Sequence, residues 1–200
     1  SEKEESGEQI MLKAPAGISV DHISFRYPDG KGWIFNDFSY DFKPGSRTAI
    51  VGETGIGKST LIRLILSLLK PNGGEIRIYN ESESRVTSAL TRNNLVYVPQ
   101  GNTLFSGTVR ENLLMGDPEA GDRQMWAVLD VAEAGFVRSL PGGLDARIGE
   151  IVAGLSEGQA QRIAIARGLL RPGSILLLDE FSSSLDQETE RRLLKNLSEN

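Results

Sequence analysis

The feature that most constrains this chain is the run from Gly52 to Ser59, which reads GETGIGKS and lies between a short apolar stretch, Arg47 to Val51, and a longer one, Thr60 to Leu69. The spacing G-x-x-x-x-G-K-[ST] at a strand-to-helix junction suits the wrapping of a polyphosphate. Backbone N–H groups can surround an anion only where bulky Cβ atoms are missing, hence Gly52, Gly55 and Gly57. The N-terminus of the following helix adds partial positive charge. Lys58 is then placed to reach the β- and γ-phosphates, and the Ser59 hydroxyl to ligate Mg²⁺.

The rest of the chain supplies a matching frame. Ile18 to Tyr27 and Glu75 to Tyr79 alternate apolar and polar residues as half-buried strands do, and Trp33 to Phe42 reads as a further strand. Arg47 to Val51 is expected as a short apolar strand feeding the loop, and Thr60 to Leu69 as a buried helix. Leu95 to Val98 and Ile175 to Leu178 are continuous apolar runs, the second expected to be covered on both faces. Residues 101–154 read as mostly helical: Met125, Leu129, Ala132, Phe136 and Leu140 share one helical face, with Asp122 as N-cap and the PGG at 141–143 as stop. Helices are expected over Glu157 to Leu170 and, amphipathic, over Leu185 to Leu197. Residues 1–16 are too charged to pack and are expected as a flexible lead-in. Strands alternating with helices point to an α/β fold with a mainly parallel sheet.

Composition removes several kinds of function. The 200 residues suit one domain, and 22 Lys and Arg against 27 Asp and Glu leave a net charge of −5, which argues against non-specific nucleic-acid binding. The absence of cysteine eliminates disulfides, thiolate zinc sites and cysteine nucleophiles. The single histidine, His22, excludes a multi-histidine metal site and is read as structural. The apolar run Leu61 to Leu69 is interrupted by Arg63 and Ser67, short of the ~20 apolar residues a membrane span needs. The first residues, SEKEESGEQ, resemble neither a signal peptide nor a transit peptide.

Two further clusters carry chemistry. Asp179 and Glu180 directly follow the apolar run ILLL. Alone they would read as an acidic N-cap. Beside a phosphate loop, Asp179 can hold the Mg²⁺ shell opposite Ser59, and Glu180 is the candidate general base for an attacking water. Leu155 to Gln159 reads LSEGQ, in which Ser156 and Gln159 have capping-box spacing. The bland reading is a helix start; the sharper one is a helix N-terminus gripping a phosphate through Ser156 and Gly158. Because the phosphate loop already has its own helix, a second anion-binding helix suggests a site completed by another subunit.

Taken in order, these motifs resemble the nucleotide-binding (ATPase) domain of an ABC transporter over about residues 18–200. GETGIGKST looks like the family's Walker A, Gln100 stands at the Q-loop position, LSEGQAQR looks like the signature, ILLLDE like Walker B with its catalytic glutamate, and SSLD at 183–186 like the D-loop. LFSGTVREN at 104–112 and ARIGEIVAGLSEGQ at 146–159 are similar to segments of the exporter type, such as multidrug and lipid exporters. The resemblance implies a P-loop fold with a mainly parallel core sheet, an N-terminal antiparallel β sub-domain, and a helical sub-domain at 101–154 within an ATP-binding domain spanning 17–200. It implies ATP and Mg²⁺ as ligands, with nucleotide contacts from Tyr27, Gly52, Glu53, Thr54, Gly55, Ile56, Gly57, Lys58, Ser59, Thr60, Ser156, Gly158 and Gln159. It implies metal contacts from Ser59, Gln100 and Asp179, and catalytic roles for Lys58, Gln100 and Glu180. Tyr27 matches the aromatic that stacks on adenine, and reads equally as a packed strand aromatic. The implied partners are a second such domain, identical or not, closing head to tail on two ATP molecules, and a transmembrane domain powered from the cytoplasmic face of the cell membrane. No nucleic-acid partner is implied.

The chain departs from the family pattern at Glu157 (usually glycine), Ile56 (usually small and polar), Ser184 (usually alanine) and Phe181 (usually small). The family's switch histidine would fall beyond residue 200, so the chain reads as C-terminally truncated and, as a fragment, weakly active or inactive. The competing readings are a soluble ABC ATPase uncoupled from transport and a binding-only nucleotide module.

Overall fold

Alternation of apolar and polar residues from Gly17 to Phe25 produces strand β1 (Gly17–Phe25), which buries Ile18, Val20, Ile23 and Phe25. In the computed structural model, which describes residues 7–30, 32–52, 55, 57–148 and 155–199, β1 lies inside a four-stranded antiparallel sheet. Its neighbours are β2 (Phe35–Phe42) and β3 (Gly73–Tyr79), and β4 (Ser84–Val86) pairs outside β3, giving the order β2-β1-β3-β4. Ile18 faces Phe42 on one side and Ile78 on the other, so the apolar sets meet in register. The register shifts on both sides of His22, whose φ of 46° marks a bulge. Helix α1 (Lys58–Ile65) follows the phosphate loop and buries Leu61, Ile62, Leu64 and Ile65. These elements form the first of two units into which the chain divides; it takes the described residues up to Leu95 together with Gly173–Ile175.

Two expectations fail in this unit. Arg47 to Val51 carries no strand among the described residues, and Ile50 and Val51 stand 43% and 87% exposed. A short apolar run becomes a strand only where neighbours offer it a ladder, and the four-stranded sheet is completed by other segments. Helix α1 also ends earlier than its apolar run, because Ser67 turns left-handed at φ 54°. Part of the stretch expected as a flexible lead-in is anchored instead. Ile10 N–H donates to the Leu90 carbonyl, Leu12 is buried, and the fully buried Asn94 side chain bonds the backbone of both Ile10 and Leu12.

The second unit takes Val96–Pro172 and the chain from Leu176 onward. Strands β5 (Leu95–Val98) and β6 (Ile175–Leu178) pair. Ser174 N–H bonds the Asn94 carbonyl and Asp179 N–H the Val98 carbonyl, so both strands advance together and run parallel. Strand β6 is half-buried along its length rather than covered on both faces. Helices α2 (Val109–Leu114), α3 (Asp122–Val131), α4 (Glu157–Leu169) and α5 (Gln187–Glu199) contribute Val109, Leu113, Met125, Leu129, Ile163, Ile165 and Leu193 to one apolar core.

The helix expected through Leu140 stops at Val131, where Glu133 turns left-handed at φ 55° and a short 3-10 helix, Gly135–Ser139, continues. Met125, Leu129 and Ala132 are buried as the spacing predicts, whereas Phe136 and Leu140 reach the core from other elements. The N-cap of α3 is Gly121 rather than Asp122. Gln124 Oε1 accepts the Gly121 N–H at 2.9 Å, and the Asp122 carboxylate is drawn instead to Arg110. No helix among the described residues is long and apolar enough to cross a membrane.

Candidate functional site

The phosphate loop ends at Gly57, the N-cap of α1, for which two independent constraints demand glycine. Its φ is 111°, and a Cβ there would lie 2.7 Å from Ile34 Cγ2. No side chain among those described caps α1, and its first turn holds no acid. The helix start therefore presents the positive end of its dipole behind a glycine, the arrangement that favours an anion. Lys58 Nζ donates to the Gly52 carbonyl at 2.5 Å, so the lysine lies across the loop from its last turn to its first residue. Gly55 is left-handed at φ 88° with open space around it, and Ser59 is exposed at the start of α1. Tyr27 packs edge-on against Phe25 at 5.0 Å, and its hydroxyl lies 3.1 Å from the buried Thr60 Oγ1, which fixes the ring to the start of α1. The first unit thus brings together Tyr27, Gly52, Gly55, Gly57, Lys58, Ser59 and Thr60. Glu53, Thr54 and Ile56 lie outside the described residues.

In the second unit the acid pair leaves the end of β6. Asp179 N–H is held by the Val98 carbonyl, and its Oδ2 accepts the Tyr97 hydroxyl at 3.2 Å. Glu180 is exposed and left-handed at φ 44°, a conformation that costs a non-glycine residue on the order of 1 kcal/mol. Ser183 holds the turn through bonds from its N–H and hydroxyl to the Glu180 carbonyl. The pair does not cap the helix that follows. That role falls to Asp186, whose carboxylate accepts from the Thr189 N–H at 3.0 Å and the Thr189 hydroxyl at 2.7 Å. The Thr189 N–H, then its hydroxyl, hold the Asp186 carboxyl below its ordinary range. Gln100 is exposed at the bend after β5, and the preceding Pro99 carbonyl accepts from Gln161 Nε2 at 3.2 Å.

The start of α4 realises the bland reading of LSEGQ in full. Ser156 Oγ accepts the Gln159 N–H at 3.1 Å, and Gln159 Oε1 accepts the Ser156 N–H at 3.0 Å. Gly158 has a packing reason of its own: a Cβ there would lie 2.3 Å from the Ser184 carbonyl oxygen, so α4 begins against the 3-10 turn Phe181–Ser184. Glu157 is exposed. Residues 149–154, just ahead of this start, lie outside the described set.

Sequence reasoning missed Tyr97, Gln161 and the Ser184 carbonyl. None has a motif signal, because each matters through a residue distant in the chain: Tyr97 and Asp179 are 82 positions apart. For Mg²⁺, the proposed donors are a hydroxyl (Ser59), a carboxylate (Asp179) and an amide oxygen (Gln100), all hard oxygens that fit such a cation. Ser59 belongs to the first unit and the other two to the second.

A glycine loop opening an uncapped helix, an acid pair at the end of a parallel strand and a mixed α/β frame with an antiparallel sheet define a P-loop nucleotide-binding domain. The ABC transporter family model matches residues 35–183, and the chain belongs to that family. It is 38% identical over 192 residues to the "Probable multidrug resistance ABC transporter ATP-binding/permease protein YheI" of Bacillus subtilis, covering 94% of this chain and 32% of that protein. It is 38% identical over 185 residues to the ATP-binding cassette transporter abc2 of Schizosaccharomyces pombe, covering 91% of this chain and 12% of that one. A solved bacterial Atm1-family ABC exporter with ATP bound superposes with a TM-score of 0.81 at 34% identity, over 95% of this chain and 33% of that one. The chain therefore spans about a third or less of these relatives and corresponds to the ATP-binding part of an exporter-type member.

Proposed function

We propose that the chain is the ATP-binding and hydrolysing domain of an exporter. Two such domains close head to tail on Mg-ATP and drive an attached transmembrane domain from the cytoplasmic face of the cell membrane. The observation that carries this reading is the N-terminus of α1, which opens behind the left-handed Gly57 and holds Lys58 and Ser59, with no acid, in its first turn. The positive end of a helix dipole beside a lysine and a hydroxyl favours a phosphate.

In this reading the triphosphate lies on the backbone of Gly52, Glu53, Thr54, Gly55, Ile56, Gly57 and Thr60. Lys58 releases the Gly52 carbonyl and moves its charge to the β- and γ-phosphates. The Tyr27 ring offers a face to the adenine. Ser59, Gln100 and Asp179 would hold Mg²⁺, which would supply charge neutralisation for the phosphates. Glu180 accepts a proton from the attacking water, and its exposure and strained backbone suit a carboxylate placed for that task. Gln100 orients that water and links the helical segment 101–154 to the γ-phosphate. Ser156, Gly158 and Gln159 of the second domain close over the phosphates. Their capping bonds leave a hydroxyl and helix amides as the groups that meet the anion.

The test separates binding from turnover. Lys58→Ala should weaken ATP affinity about tenfold to a hundredfold, the loss of one charge-assisted contact. Glu180→Gln in the intact transporter should keep that affinity and abolish steady-state hydrolysis. Unchanged affinity in the first variant, or undiminished turnover in the second, overturns the assignment.

A further inference from the structure

One residue outside every motif above joins three elements of the second unit. Glu133 follows α3 in the left-handed conformation, φ 55°, where glycine is the default because it lacks a Cβ. A long acidic side chain stands there instead, and each of its acceptors is used. The backbone carbonyl accepts from Arg162 Nη1 of α4 at 2.7 Å. Carboxylate Oε2 accepts from Arg192 Nε of α5 at 3.0 Å, and Oε1 from Asn196 Nδ2 of α5 at 2.8 Å. Arg162 passes the connection on: its Nε donates to the Gly158 carbonyl at 3.2 Å, and its guanidinium lies over the Phe136 ring at 5.0 Å. The same two regions meet a second time where Gly158 packs against the Ser184 carbonyl, two residues before the Asp186 cap of α5.

We propose that Glu133 is a positioning residue for ATP-driven pairing: through Arg162, Arg192 and Asn196 it fastens α4 to α5, so that Ser156 and Gly158 at the start of α4 meet the nucleotide of a second copy from a fixed frame. This rests on the head-to-tail reading above. The physical reason is pre-organisation. A hydroxyl and a few helix amides grip an anion well only when held within a fraction of an ångström of their bound positions. If α4 and α5 could shift independently, pairing would have to order them each time and would weaken accordingly.

The experiment uses the full chain carrying Glu180→Gln, so that bound ATP persists. Binding of a fluorescent ATP analogue, thermal unfolding, and Mg-ATP-dependent pairing by analytical ultracentrifugation are measured side by side. Glu133→Gly removes the carboxylate while retaining, and relaxing, the left-handed turn. Its unfolding temperature and analogue affinity should match the parent, while half-pairing should need about tenfold more protein. Glu133→Gln, which still offers an acceptor to Asn196, should recover most of that loss. Adding Arg192→Ala to Glu133→Gly should cost little more, because both remove the same bond. Pairing of Glu133→Gly at the parent's concentration overturns the proposal and leaves the head-to-tail reading standing. A parent that binds the analogue yet never pairs overturns that reading, and this proposal with it.

Discussion

Five side chains among the described residues sit on left-handed backbone where no glycine advertises it: His22, Asp37, Ser67, Glu133 and Glu180, with φ from 44° to 59°. For His22 the consequence is measurable. The bulge brings its Nδ1 to 2.6 Å from Asp37 Oδ1, with Asp21 also near. The hydrogen bond to Asp37, then the charges of Asp37 and Asp21, raise the ring's pKa above the ordinary 6.5. A group raised on folding stabilises fully below its unfolded value, and that contribution is lost as pH rises through the folded value. The NMR titration midpoint of His22 should therefore exceed 6.5 and fall back towards it in Asp37→Asn; a midpoint that ignores the substitution would refute the pairing. At this scale Lys58, Ser59 and Glu180 were legible because a motif fixes them within a few positions. The contacts of Tyr97 with Asp179, and of Gly158 with Ser184, were not, because they join distant positions.

Elements whose signals are local came through well. The capping box at Ser156 and Gln159 was legible because both bonds close within three residues. The face Met125, Leu129 and Ala132 was legible, but its continuation was not: the left-handed turn at Glu133 depends on bonds to α4 and α5 that periodicity does not contain. The lead-in shows the same limit. Its charge predicted freedom, yet Asn94 Oδ1 accepts the Leu12 N–H at 2.7 Å and Nδ2 donates to the Ile10 carbonyl at 2.6 Å. Asn94→Ala would leave those groups unpaired in a buried place and should cost about 1–3 kcal/mol in denaturant unfolding, with faster amide exchange at Leu12. Exchange at Leu12 as slow as in the parent would show that the segment is held by something else.

For the molecule as a whole, a ligand that binds only the folded state raises stability by mass action. Mg-ATP at a hundred times its Kd should add about 2.7 kcal/mol, a rise in Tm of roughly 5–10 °C for a chain of this size. Lys58→Ala should lose about half of that rise or more at the same concentration, and an equal rise in both would place the nucleotide elsewhere. By itself, the sequence determined the P-loop, the class of fold, the order of the motifs and the family, since each depends on residues a few positions apart or on the period of a single element. Tertiary structure alone decided that Arg47 to Val51 stays out of the sheet, that α3 ends at Val131, that Asn94 anchors the chain ahead of β1, and that Gly158 packs on Ser184. Those outcomes turn on which distant segment supplies a backbone partner or occupies a given space, and no local pattern of residues encodes that choice.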